Sequence, residues 1–205
     1  MKKFELTNEF IANRFGTKLF RIRALVEFGD VEAGELGGYV EKESNLGHDD
    51  NAWVYGNARV YGDALVYDNA RVYDNAWVYG DAQVSGDALV YGNARVYDNA
   101  WVYGNAQVSG NARVCGDARV CGNGDYAYAH GFGSVNRTTT FFRLKDGGVG
   151  VRCGCFYGTL AQFRDKIRET HGETKKAQEY LMLADLMELR FEEDENEVGN
   201  RKYVE

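Results

Sequence analysis

The sequence predicts a mainly β chain built around a parallel β-solenoid, and three observations carry that prediction. Between Asn51 and Gly122 the chain repeats every six residues, twelve times over, from NAWVYG and NARVYG to DARVCG. Each hexad keeps one skeleton: Asn/Asp, Ala, a variable residue, Val, Tyr/Ser/Cys, then Gly/Asp. The Gly/Asp and Asn/Asp pair at each junction interrupts any 3.6-residue apolar stripe, so a helix is excluded. A fixed short period specifies a repeat architecture before any single residue suggests a reaction.

Within a hexad, the triplet variable–Val–Tyr reads as a short strand. Side chains alternate across a strand, so Val54, Val60, Val66, Val78 and Val96 point inward and their neighbours outward. Ala beside each corner suits a narrow interior. The Gly/Asp plus Asn/Asp pair supplies the corner, because these residues tolerate left-handed and turn geometry. Three such strands make a triangular coil of eighteen residues. Coils stack at roughly 4.8 Å, so four regular coils form a rod of about 20 Å.

The register follows. Trp53, Arg71, Leu89 and Gln107 form one outward column; Arg59, Trp77, Arg95 and Arg113 a second; Leu65, Gln83, Trp101 and Arg119 a third. Trp53, Trp77 and Trp101 lie twenty-four residues apart, so like residues step from face to face rather than stack. This pattern suggests duplication of a twenty-four-residue unit and argues against a flat aromatic ladder.

The flanks bound the rod. Residues 1–37 read as an N-terminal β cap, with Phe20, Ile22 and Ala24 on one face and Arg21 and Arg23 on the other. Residues 38–124 form the rod. Val40 and Leu46 begin an irregular first coil, and the eight-residue step from Leu46 to Val54 implies a two-residue bulge around His48. Residues 125–205 read as a C-terminal α+β module: a hairpin with a DGG turn, a helix over Leu160–Glu169 capped by Thr159, and a helix over 174–191. The buried stripe of the second helix is Ala177, Tyr180, Leu181, Ala184 and Met187. EEDENEVGNRKYVE follows as an acidic tail.

The pairs Val54/Ala58, Val60/Ala64 and Val66/Ala70 give an aliphatic residue with a small residue four positions later. In this the chain resembles the hexapeptide-repeat left-handed β-helix, and the left hand is implied by that resemblance alone. The segments LGGYVEKESNL, GSVNRTTTFFR, CGCFYGTLAQF and ETHG extend the likeness over nearly the whole chain. They are similar to hexapeptide-repeat proteins of bacteria and their phages that are often labelled transferases on fold alone. The likeness implies a trimer of parallel rods and brings no activity with it.

Composition narrows the function classes. The net charge of −7 is spread as −3, −2 and −2 over residues 1–50, 51–122 and 123–205, so no basic stripe favours nucleic acid. The start, MKKFELTNEF, lacks the apolar core of a signal peptide or membrane span. Cys115, Cys121, Cys153 and Cys155 do not read as a disulfide framework or a metal set, and a reducing cytoplasm is the expectation. There is no proline to stiffen a pocket-forming loop on the rod.

Catalytic candidates are few. The hexads contain no His, which removes the three-His zinc site of the γ-class carbonic anhydrases. An acyltransferase would need a general base from His48, His130 or His171, with coenzyme A as its cofactor. A ligand site reads best in the C-terminal module, on Ser134, Arg137, Thr138, Thr140, Thr159 and His171. There Arg137 and the amides at the Thr159 helix start would suit an anion. The structural alternatives are Thr159 as a cap, Thr138 and Thr140 as strand formers, and His171 as a partner of the helix dipole. Trp53, Trp77, Trp101, Tyr61, Tyr79 and Tyr97 are candidate interface residues. The expected function is non-catalytic binding or scaffolding by a cytoplasmic, phage-type homotrimer. Its expected ligand is a phosphate-bearing small molecule or nucleotide, with no metal, cofactor or membrane. The alternatives are an acyltransferase, or an inhibitor that grips a host protein through the rod.

Overall fold

The computed structural model describes residues 2–133 and 137–192. Each hexad contributes one short strand, from Trp53–Val54 to Arg119–Val120. These strands pair in parallel with the strand eighteen residues on, so the three outward columns are in register as the period requires. Trp53 pairs with Arg71, Trp77 with Arg95, and Trp101 with Arg119. Every hexad Val and Ala is fully buried in one continuous core. With the first irregular coil, the solenoid has about five turns.

The corners work as their composition suggests. Gly56, Gly62, Gly80 and Gly86 adopt positive φ, and Asp68, Asp74 and Asp98 take the same conformation where Gly is replaced. Asp recovers part of the cost of that conformation by bonding onward. The Asp68 carboxylate accepts the Gly86 N–H at 3.0 Å, and Asp74 accepts the Gly92 N–H at 3.0 Å.

One expectation about stacking is corrected. The variable residues do step from face to face, but the tyrosines stack. Tyr61–Tyr79 and Tyr79–Tyr97 each lie 5.0 Å apart and 2° from parallel, and Tyr73–Tyr91 repeats the arrangement at 5.0 Å. The reason is that the fifth-position Tyr recurs in most hexads, so an eighteen-residue coil brings Tyr over Tyr whatever the twenty-four-residue pattern beside it.

At the N-terminal end, strands Phe4–Ala12, Lys18–Ala24 and Leu36–Val40 form an antiparallel cap. The cap joins the rod where Val40 pairs in parallel with Val60. Leu46 pairs with Val66, twenty residues on, and this accommodates the two-residue bulge before Val54. At the other end, four antiparallel strands, Tyr126–Phe132, Arg137–Arg143, Val149–Cys153 and Phe156–Thr159, close the last coil. The first and last of these were not anticipated as strands.

The Arg137–Arg143 strand divides two cores by alternation: Phe142 enters the rod core and Phe141 the helical core. Helix α1 (Leu160–His171) begins at a capping box between Thr159 and Gln162, and α2 (Lys175–Phe191) begins at Thr174. The buried stripe of α2 is Ala177, Tyr180, Ala184, Met187 and Phe191, with Leu181 at its margin. Arg164 of α1 binds Asp185 and Glu188 of α2, each at 2.8 Å.

Candidate anion-binding site

A cleft of about 490 Å³ opens where the rod meets the C-terminal sheet. The rod contributes Asn93, Arg95, Asn111 and Arg113; the sheet contributes His130, Arg137, Thr138 and Gly154. Arg95 and Arg113 pair directly in register, so they sit one coil apart on the same column. His130 and Thr138 are cross-strand partners, and His130 Nδ1 lies 2.9 Å from the Thr138 hydroxyl.

Each arginine has a local reason for its position. Arg95 lies over the Trp77 ring at 4.6 Å, with Arg59 on the same ring at 4.9 Å, so the indole aligns both guanidinium groups. Arg113 is held through its backbone, whose N–H donates to the Thr140 hydroxyl at 2.9 Å. Arg137 lies over Gly154, where a Cβ would collide with its guanidinium. Of the described residues, the lining holds three arginines and no carboxylate. Among the described residues, none of the three is in an ion pair.

A second cleft, of about 260 Å³, shares Arg137. Its floor is aromatic and aliphatic, built from Phe156, Phe163, Ile167 and Tyr180, and its rim carries Lys166 and His171. His171 stacks on Tyr180 at 5.9 Å, and Phe163 meets Phe156 at 5.4 Å.

These placements redistribute the residues singled out from the sequence. Arg137 and Thr138 reach the larger cleft, and Arg137 and His171 reach the smaller one. Thr159 and His171 are not neighbours, since Thr159 caps the start of α1 and His171 is its last residue, about 18 Å away. The Thr159 hydroxyl accepts from Gln162 N–H and its own N–H donates to the Gln162 side chain, so both serve the cap. Thr140 is fully buried, its hydroxyl committed to Arg113. Ser134 lies outside the described residues. His48 stacks on Phe4 at 4.5 Å, accepts the Lys3 N–H at Nδ1 and meets Glu43 at Nε2, so it secures the cap. His130 alone of the three histidines lines the larger cleft.

The interface candidates also divide. Trp53 holds its column position but is fully buried, because Phe4 and Phe28 of the cap pack edge-on against it at 6.2 Å and 5.3 Å. Tyr97 is nearly buried, covered by Arg152 and bonded to Cys115, and burial pushes that thiol up to about 11. Tyr61, Tyr79, Trp77 and Trp101 stay partly exposed.

Sequence reasoning missed Arg95 and Arg113 as site residues. They look like any other variable hexad residue, and only the return of the C-terminal sheet across the rod distinguishes them. The available signal was the column Arg59–Trp77–Arg95–Arg113, which is basic where the other two are mixed.

Fold and site together define a repeat β-solenoid with an arginine-rich cleft at its C-terminal junction. The hexads are similar to the YdcK beta solenoid repeat family, whose pattern matches residues 52–67, 64–80, 82–96, 90–104, 94–110 and 106–122. That description names an architecture, and the likeness covers the regular hexads, without the irregular first coil or either flank. A search of curated proteins finds no match.

Proposed function

We propose that the protein is a non-catalytic binding protein that captures a phosphate-bearing small molecule in the cleft between rod and C-terminal sheet. The observation that carries this reading is the convergence of Arg95, Arg113 and Arg137 with no carboxylate from the described residues among them. These guanidinium groups, in no ion pair among the described residues, present forked donors matched to phosphate oxygens, and Asn93 and Asn111 add neutral donors along the same wall. This moves the ligand from the C-terminal module alone to the junction of module and rod.

Calorimetric titration with pyrophosphate tests the reading. The intact protein should bind it, and Arg113→Ala should weaken binding by about tenfold to a hundredfold, the range for a charge-assisted hydrogen bond. Unchanged affinity in both Arg113→Ala and Arg95→Ala would remove the cleft from the account.

A second reading, acyl transfer from coenzyme A, draws on one observation: His130 shares the cleft with the arginines, where a base would stand beside the anionic carrier. Acetyl transfer to a panel of amines and alcohols that disappears in His130→Ala would favour it. Binding of the carrier without turnover would leave the first.

A further inference from the structure

We infer that the two clefts joined by Arg137 form one bipartite site for a nucleotide, with phosphates in the arginine cleft and the base in the aromatic cleft. The inference rests on the proposal that the larger cleft binds phosphate, and it adds the chemical class of the ligand.

The argument begins with the backbone. Cys153, Gly154 and Cys155 are consecutive, and Gly154 takes a left-handed φ of 60°. Gly154 lines the larger cleft, while Cys153 and Cys155 line the smaller one. The turn is therefore a thin wall between them. Arg137 rests on the face of Gly154 and lines both sides. A ligand spanning the wall would meet the guanidinium at its midpoint, where a nucleotide carries its first phosphate.

The two compartments differ in chemistry as the two ends of a nucleotide do. The larger is walled by guanidinium, carboxamide and imidazole groups. The smaller has an apolar floor in which Phe163 is nearly buried and packs against Phe156 and Tyr180. A planar base offers an apolar face to such a floor and polar edges to a rim, here Lys166, Thr170 and His171. An inorganic anion would leave this compartment unused.

The tyrosine ladder is another aromatic surface, and it does not compete. Its rings are stacked on one another at 5.0 Å, which leaves no gap for a base. Trp77 is likewise covered by Arg59 and Arg95.

The experiment compares pyrophosphate, adenosine and ADP on the full-length protein by calorimetry, with Thr170→Trp as the variant. Thr170 is exposed on α1, so an indole there obstructs the aromatic cleft without touching the core. ADP should bind at least about tenfold more tightly than pyrophosphate, the scale of one base–aromatic stack. Thr170→Trp should abolish that advantage and leave pyrophosphate affinity unchanged, while Arg113→Ala should weaken both ligands. Equal affinity for ADP and pyrophosphate, with both lost in Arg113→Ala, would overturn the bipartite site and spare the anion cleft. An ADP advantage that survives Thr170→Trp, in a variant that melts like the parent, would also overturn it. Failure of pyrophosphate and ADP alike would overturn both readings.

Discussion

Arg137 is held in place by a missing atom. Gly154 presents its Cα to the guanidinium, and a Cβ there would occupy the same space. Gly154→Ala should therefore cost pyrophosphate affinity as Arg137→Ala does, although residue 154 donates nothing. It also carries a backbone penalty of about 1–2 kcal/mol for a left-handed non-glycine residue. Titration together with a melting curve separates the two effects, since a purely structural role would lower the melting temperature and leave affinity intact. Lys3 is the residue-scale counterpart at the other end. Its amine is buried, donates to the Ala52 carbonyl at 2.8 Å and lies over the Phe28 ring at 4.7 Å. Burial pulls its pKa from 10.5 down to about 8, against the opposing pull of Asp50 and Asp49. Between these values the unfolded chain holds more protons at this site than the folded one, so its contribution to stability rises with pH from about 8 to 10.5. The melting temperature of the parent minus that of Lys3→Met should accordingly increase between pH 7 and pH 10. A difference that is flat or falls would contradict it.

At the scale of the element, the hexad sets the outcome through two positions. The Val position has no tolerance for charge. Val78 is fully buried among facing Val and Ala side chains, and Val78→Asp should cost about 4 kcal/mol or more, measured by urea unfolding. The corner position discriminates by conformation. Gly80 has φ of 73°, and an added Cβ would lie 3.0 Å from the Asp98 nitrogen of the next coil. Gly80→Ala should cost about 1–2 kcal/mol, and Gly80→Asn less, because Asn tolerates the left-handed region. The natural Asp68, Asp74 and Asp98 corners show that tolerance already in use. The same hexad explains what was legible in the sequence. Strict period, inward Val and corner chemistry are local, and they fixed register, columns and core without any knowledge of the flanks. The Tyr ladder is equally local, since Tyr recurs in most hexads and an eighteen-residue coil superposes it, whereas Trp recurs only every twenty-four residues. The Thr159 and Thr174 caps and the stripe of α2 could be read because capping and helical spacing are also local signals. The burial of Trp53 could not, since it depends on Phe4 and Phe28 arriving from the cap.

For the whole molecule, the decisive feature is that one chain closes its rod at both ends, and at the second end the closure creates the site. Arg113 and Thr140 lie twenty-seven residues apart and Arg95 and Arg137 forty-two, so no spacing motif connects them. That separation is why the cleft escaped a sequence reading that singled out Arg137, Thr138 and His130 but neither Arg95 nor Arg113. Assembly is a separate question at this scale. Trp77, Trp101, Tyr61 and Tyr79 stay partly exposed, which supports our proposal of a homotrimer, and light scattering at micromolar concentration should give three times the mass of one 23.0 kDa chain. A single-chain mass would assign those aromatics to strand propensity alone. The central claim is that the arginines of rod and sheet act together on one anion. Crystals soaked in tungstate test it most directly, because the metal's anomalous signal locates the oxyanion without assumptions about the ligand. The account predicts a peak within hydrogen-bonding reach of both Arg113 and Arg137, absent from crystals of Arg113→Ala. A strong peak elsewhere with the cleft empty, or one that persists in Arg113→Ala, would contradict it.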